Sequence, residues 1–517
     1  IGVGDRGTDV FNTYTTAGRA GGETWHPDFN YFAMQWVQVT GLPADYRPNP
    51  DMMTGVRLQA DVPVAGSFTS SNTRINRIHN MSRYSFASNL LSVFTDCPGR
   101  EKLSYPADYI MPMGAIHRNV NLNAFLRTTM RHLGYTGRFG DEINWGNAIV
   151  LVPSILHDLY NDTTVMASYY QQMTNFVNYI QREKVQEYIV DAALADWVED
   201  DDRTSGRITG TWGYYLTIKA MANMANLTRH ATDAGHYTNL ASKIRKAFYD
   251  AFFNERSGRY TNFGNNSTLN ATQTAQALAL DAELVLEENR ERVLNALVDL
   301  TYNYPSQDGQ GPHLSGGTIG MGPIVRALSA GGRDDVLWDA LQQNDQPSYG
   351  FFLAPTVAHP KGFTTIGERW NRKASKNHMI LAQIDEWFHR GVAGIQPMPL
   401  STISSIQDKQ LVFQPKLVRD VKSAAGTYQT PMGEARNEWN RTAEGLFTFT
   451  VTVPANTAAE VRVPAVGHVQ GTERATFVGM SGHYALYTVP SGTHTFSSIL
   501  DAFNGTSTRL SPGRLAK

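Results

Sequence analysis

Two strings of this sequence gather acids, bases and aromatic side chains densely enough to do chemistry. The first is Asp96-Cys97-Pro98-Gly99-Arg100-Glu101-Lys102-Leu103-Ser104-Tyr105-Pro106-Ala107-Asp108, which follows an apolar, helix-like run ending at Phe94. Pro98 and Gly99 break that helix, so carboxylates and an arginine are expected on a loop at a helix end, where side chains can point into a cavity. The second is Gly362-Phe363-Thr364-Thr365-Ile366-Gly367-Glu368-Arg369-Trp370, followed by Asn377-His378 and a helix through Trp387. Here one acid sits among apolar and aromatic neighbours, surroundings that suit acid/base work. Two carboxyl groups, one to give a proton and one to take it, are what cleavage of a bond with a poor leaving group requires.

Each string also has a bland reading. Asp96 can cap a helix while Arg100 pairs with Glu101 in a solvated ion pair. His378 alone reads as a hydrogen-bonded residue at a helix start, and tryptophans are more often core than sugar platforms.

The elements around these strings fall into three spans. Residues 1–65 are rich in Gly, Thr and aromatics, with short alternating runs such as Phe32 to Val39 that read as strands. An isolated pair of strands is marginal in water, so this span is expected to be part of a β domain completed by chain that precedes it. Residues 66–396 show helical spacing: Met166, Tyr170, Met173, Val177 and Ile180 fall on one face. Leu240, Ile244, Ala247 and Phe252 do so roughly, then Val293, Leu297 and Leu300. Many such segments without long alternating runs predict a large all-helical domain, a toroid of helical hairpins or a compact bundle. From 397 to 517, Phe447, Phe449, Val451 and Val453 alternate with Thr, and Val461, Val463, Tyr484, Leu486 and Val489 sit in further short runs. That pattern predicts a β sandwich.

Composition narrows the function. The 517 residues carry 45 Lys and Arg against 47 Asp and Glu, a net charge of −2, so there is no basic excess to hold nucleic acid. No apolar run reaches the roughly 18 residues a membrane helix needs. A single cysteine, Cys97, excludes an intrachain disulfide and any thiolate-rich zinc site. The chain contains no Gly-rich phosphate loop, no His-Glu-x-x-His and no paired CxxC; no ligand cluster recommends a metal, and no cofactor is called for. Asn-X-Ser/Thr triplets at Asn80, Asn161, Asn226, Asn265, Asn266, Asn270, Asn440 and Asn504 favour a secreted protein. Ile1 in place of Met, with no charged-then-apolar leader, suggests a processed, cleaved or truncated start.

Read together, the two strings resemble glycoside hydrolase family 78, the α-L-rhamnosidases, in order, spacing and flanking sequence. In that family a loop Asp-Cys-Pro-x-Arg-Glu-Lys-Leu-Gly-Trp carries the general acid, and a later Thr-Thr-x-x-Glu-Arg-Trp carries the general base. The resemblance extends through Glu23-Thr24-Trp25-His26-Pro27, Thr40-Gly41-Leu42-Pro43, Asn144-Trp145-Gly146-Asn147, Asp196-Trp197, Thr272-Gln273-Thr274-Ala275 and Pro347-Ser348-Tyr349-Gly350-Phe351. It implies an (α/α)6 barrel with flanking β-sandwich domains and hydrolysis of terminal rhamnosyl residues with inversion. By the resemblance Glu101 is the general acid and Glu368 the base. Asp96, Arg100 and Asp108 frame the sugar, and His378 binds rhamnose. The implied partner is a rhamnose-containing carbohydrate.

An inverting pair needs carboxyl groups about 6.5–9.5 Å apart, with room for a water. Arg100 is then expected to point away from Glu101, toward Asp96. Trp145, Trp197, Trp212, Tyr349 and Trp370 are candidates to stack on the apolar face of a 6-deoxy sugar.

The sequence departs from the family at Tyr105, where Trp is usual, at Pro106-Ala107, and at Asn147, where Asp is usual. A neutral Asn147 would repel an anion less, which suggests a uronate next to the rhamnose. A rival reading is a polysaccharide lyase on a similar helical toroid, with Asn147, Tyr105 and His378 performing β-elimination. A second rival is a non-catalytic carbohydrate-binding protein, which would be expected to have lost one of the two acids.

Overall fold

The computed structural model describes residues 13–32, 37–47, 49–136, 140–200, 204–266, 271–306, 308–399 and 411–500. The helical spacing gives helices of two kinds. Outer ones carry one apolar stripe: Thr164–Glu183 buries Val165, Met166, Met173, Val177 and Ile180, while Tyr170 lies at the stripe's edge and bonds Asp233. Inner ones are enclosed on every side, so that Gln273–Asp281 buries each residue from Gln273 to Leu280. Its polar residues are matched to backbone groups of neighbours, Gln276 to Tyr260 and Gln273 to His313.

The inner helices pack in succession. Ala148–Tyr160 meets Gly206–Leu227, which meets Gln273–Asp281, then Met321–Ala330, then the turn Ile380–Ile384, which lies on Thr73–Asn89. Outer helices back them as hairpin partners, Ala231–Phe252 on Gly206–Leu227 and Arg290–Tyr302 on Gln273–Asp281. The result is the expected barrel of helical hairpins. The first helix is shorter than the apolar run suggested: Thr73–Asn89 stops five residues before Phe94. There the Asn89 amide turns back to the Ser85 carbonyl, and Thr95 donates to the Asn89 carbonyl, which closes the helix end.

The carboxy-terminal span forms a nine-stranded sheet. The long strands Leu446–Pro464 and Tyr484–Ile499 pair antiparallel, with the register shifting between Val453 and Ala458. Phe447, Phe449, Val451, Val453, Val461 and Val463 are buried as the alternation predicts. In the partner strand the core face is Ala485, Tyr487 and Val489; Tyr484 and Leu486 sit half-buried on the other face, one residue out of phase with the expected set.

One strand reaches the sheet from the far side of the helical domain. Gly66–Ser70, at the start of the span assigned to helices, pairs antiparallel with Ser423–Thr430. Gly66 is required there, because a Cβ would lie 2.3 Å from the Thr427 carbonyl oxygen and 2.6 Å from that of Arg118. Among the described residues of 13–65 no strand forms; the only regular element is a helical turn, Pro50–Met52. Of the expected strand Phe32 to Val39, residues 33–36 lie outside the described residues, and Phe32 and 37–39 have no ladder partner. This span leaves Phe29, Val56 and Leu58 exposed.

Candidate active site

The loop carrying the first string is closed at its neck. Asp96 N–H donates to the Leu103 carbonyl (2.8 Å) and Leu103 N–H donates back to Asp96 Oδ1 (2.9 Å). Within this loop the Cys97 thiol donates to Asp96 Oδ2 (2.8 Å), and Glu101 N–H donates to Cys97 Sγ (3.3 Å). The turn that aims Glu101 is therefore built on a carboxylate and a thiol, both buried. Burial pushes the Asp96 carboxyl up, opposed by its bonds from Cys97 and Leu103. Asp96 caps no helix. Lys102 takes a left-handed backbone (φ 58°). Its ammonium bonds Asn30 Oδ1 and the Tyr31 carbonyl, with the Tyr31 ring 4.4 Å away, so it pins the amino-terminal span to the loop.

Arg100 does not turn to Asp96. Its Nη2 donates to Glu101 Oε1 (3.0 Å) and to Glu368 Oε2 (3.1 Å). One nitrogen thus joins two acids that are distant in sequence. Those two oxygens can be no further apart than the two bonds laid end to end, which puts both carboxyl groups at one guanidinium. The reason is electrostatic: one guanidinium nitrogen offers charge-assisted hydrogen bonds to both carboxylates. The expected Arg100–Glu101 ion pair is present, but it belongs to this three-group bridge. The bridge is not sealed, since the Glu101 side chain is 21% exposed and Arg100 18%, against 6% for Glu368.

Each acid has a second anchor. Tyr105, in the place of the usual tryptophan, donates its hydroxyl to Glu101 Oε2 at 2.5 Å. Glu368 sits on a loop folded onto Ser375: its N–H donates to the Ser375 carbonyl (2.9 Å), and Ser375 N–H donates to Glu368 Oε2 (3.2 Å). Ser375 carries no sequence signal beyond its distance of seven residues from the glutamate, and the sequence reading passed over it, as it passed over the roles of Cys97 and Lys102.

Asp108 lies in the first turn of the short buried helix Pro106–Ile110. Burial, then the charges of Asp96, Glu368 and Glu101, push its carboxyl well above the usual range. His378 faces it, Nε2 3.5 Å from Asp108 Oδ2. Burial and Arg100 lower this imidazole to about 3, which leaves it neutral. Its Nδ1 accepts from Ile380 N–H (3.3 Å), so the ring proton sits on Nε2. Asp96, Arg100, Glu101, Tyr105, Asp108, Glu368 and His378 thus gather into one polar cluster.

The aromatic expectations fare differently. Trp197 is exposed, with the Arg369 guanidinium 5.4 Å from its ring centre. Trp145, Trp212, Tyr349 and Trp370 are buried and present no open face for stacking. Trp370 packs on Phe352 and edge-on to Tyr349, whose hydroxyl donates to the Leu381 carbonyl. These rings serve the core because flat apolar faces are better covered by other rings than left wet. Asn147 is also fully buried, behind the Pro106–Ile110 region; neither its amide atoms nor those of Asn144 have a hydrogen-bond partner. As placed, Asn147 cannot touch a neighbouring uronate.

Among the described residues one grouping has metal-ligand chemistry: His79, Asp385 and His389, buried beneath Phe68 of the strand Gly66–Ser70. Asp385 already accepts from His79 (2.6 Å) and from Asn119 (2.7 Å), so its carboxylate is occupied by protein donors.

Comparison with known proteins matches this architecture to a family. Residues 63–392 match the bacterial alpha-L-rhamnosidase 6 hairpin glycosidase domain. Residues 409–477 match the bacterial alpha-L-rhamnosidase C-terminal domain, and 5–59 its concanavalin-like domain. An alpha-L-rhamnosidase of Streptomyces avermitilis is 28% identical over 524 residues, covering 95% of this chain and 47% of the relative. One from Formosa agariphila is 25% identical over 87% of this chain and 50% of its own length. The chain therefore spans about half the length of these relatives. Among solved structures, alpha-L-rhamnosidase from Dictyoglumus thermophilum superposes with TM-score 0.78 at 25% identity, covering 88% of this chain and 52% of that one. The Streptomyces avermitilis enzyme complexed with L-rhamnose gives 0.74 at 27% identity, covering 85% and 42%.

Proposed function

This chain belongs to the bacterial α-L-rhamnosidase family, and on that premise we propose that it hydrolyses terminal α-L-rhamnosyl residues, with Glu101 as general acid and Glu368 as general base. The observation that carries this reading is the bridge. Two glutamates from remote parts of the chain meet at one guanidinium, and the member named as acid is open to an incoming glycoside. A glycosidic oxygen leaves as a poor alkoxide unless protonated as the bond breaks, and water attacks usefully only when a carboxylate takes its proton. Sugar entering beside this bridge competes for the Arg100 bonds, which frees Arg100 Nη2 for sugar hydroxyls. Tyr105 keeps one Glu101 oxygen fixed during that exchange, while His378 offers an N–H donor and Asp108 a carboxyl group from the buried side. Inversion is part of the proposal.

Proton NMR of an aryl α-L-rhamnoside digest tests it: β-rhamnose must appear before the α anomer, and α-rhamnose appearing first would refute inversion. Neither rival has a supporting observation, since elimination would need Asn147 at a substrate it cannot reach as placed. Secretion is part of the same reading, supported by Asn80, Asn161, Asn226, Asn265 and Asn440, all exposed. Mass spectrometry of protein from the native source that finds these sites bare would remove that support. The amino-terminal span is proposed to dock on further chain of the same precursor, supported by its exposed apolar residues and its concanavalin-like match. A monodisperse chain whose 13–65 span resists protease would argue against that.

A further inference from the structure

A second polar cavity lies between the helical domain and the carboxy-terminal sheet, and the polar cluster of Glu101 and Glu368 contributes no residue to it. It encloses about 280 Å³. Its walls come from the helix Met321–Ala330, the helical segments Asp385–Trp387 and Phe388–Ala393, and the strands Ile395–Pro397 and Leu446–Pro464. Four cations line it, Arg326, Arg390, Lys416 and Arg462, against one carboxylate, Glu386.

The acids around this cavity are already engaged. Arg326 chelates Asp281 through Nε and Nη2 and reaches Glu386 Oε2 through Nη1 (3.2 Å). Arg462 Nε holds Glu460 (2.6 Å). Asp334, near Lys416, accepts from Ser329 Oγ and Trp387 Nε1 at 2.7 Å each, and burial pushes its carboxyl up. What keeps spare donor capacity is cationic. Lys416 Nζ makes no hydrogen bond among the described residues; its charge draws the Asp334 carboxyl down against burial, and the Tyr484 ring is 6.0 Å away. Arg390 reaches Glu386 with a 3.5 Å contact through Nη1, and Arg462 Nη2 makes no hydrogen bond among the described residues. Arg390 is 44% and Arg462 38% exposed, so these donors face the opening.

The geometry points to an anion-binding site at this domain junction, sized for one monosaccharide or smaller and made for a compact oxyanion: the carboxylate of a sugar acid, or phosphate. Guanidinium forks present paired N–H donors to such groups, and a lone ammonium adds a point charge. Gln396 and Ser329 place neutral polar groups beside the cations, as recognition of hydroxyls on the same ligand requires. Because the walls come from both domains, a bound anion would also tie helices to sheet.

Isothermal titration of the 517-residue chain at low salt tests this with D-galacturonate, inorganic phosphate and neutral D-galactose. One or both anions should bind saturably and galactose should not; tighter galacturonate assigns a sugar acid, tighter phosphate assigns phosphate. Lys416→Met keeps the aliphatic stem and removes the charge. With Arg390→Gln it should weaken the bound anion about tenfold each, leaving turnover of an aryl rhamnoside unchanged. Absence of saturable binding of either anion, or binding by both variants as tight as by the parent, overturns the site.

Discussion

Two carboxylate clusters of this protein are built from the same side-chain types and are bonded in opposite ways. At the loop Asp96 to Asp108, Glu101 and Glu368 share one nitrogen of Arg100, and each keeps an oxygen or an exposed edge that is not fully matched. Beneath the strand Gly66–Ser70, Asp385 is held by His79 and Asn119, and Glu386 by Arg326, with both acids buried. Despite burial, Arg326, Arg390 and Arg118 hold Glu386 down at about 2, and the neighbouring histidines hold Asp385 below the carboxylate range. Carboxylates whose partners are all internal are structural. A pair whose bridging partner can be displaced from an open side is fitted to chemistry. Residue type does not separate the two cases; exposure and unmatched bonding capacity do.

The comparison can be broken most sharply at the glutamates. Glu101→Gln and Glu368→Gln should each lower kcat on an aryl rhamnoside by about 10²–10⁴-fold with little change in thermal midpoint. If either keeps most of its activity, that glutamate has no proton to transfer. Asp385→Ala should do the reverse, costing about 3–5 kcal/mol in a urea melt because it strands buried His79 and Asn119, with kcat per folded molecule retained. Loss of kcat in a fully folded Asp385→Ala protein would erase the distinction between the clusters. Tyr105→Phe removes one hydrogen bond from Glu101 and should cost about tenfold in kcat/KM while shifting the pH profile. An unmoved profile would make the hydroxyl a packing group.

A further test of the buried cluster concerns pH. Burial lowers the His389 imidazole to about 4, so between its unfolded value and that point the unfolded chain binds a proton the folded one refuses. Stability attributable to His389 therefore falls as pH drops through this window, by about 1.4 kcal/mol per pH unit. His389→Gln should flatten that slope in paired melts at pH 6.5 and 4.5, and parallel curves would show that the ring does not titrate there.

Periodicity was enough to read the helices and most strands because burial of an apolar stripe leaves its period in the chain. Val177 and Val451 were placed in the core on that basis alone and are fully buried. It failed for Tyr484 and Leu486, where a one-residue phase error flips the face, and for Gly66–Ser70, whose partner strand lies hundreds of residues away. The acids were found from two dense motifs, whereas Ser375 was invisible, since a backbone N–H that anchors a carboxylate leaves no trace in side-chain type. The burial of Trp145, Trp370 and Asn147 was not legible for a related reason: composition cannot tell a ring facing a cavity from one facing another ring.

The sequence by itself determined the helical spacing, the alternation of the carboxy-terminal strands and the family, because these depend on local pattern and residue chemistry. Tertiary structure alone decided that Arg100 would bind both glutamates rather than Asp96, and that four cations would converge at the domain junction. Those outcomes depend on distances between parts of the chain that meet only on folding, and Coulomb attraction and burial act through distance in space.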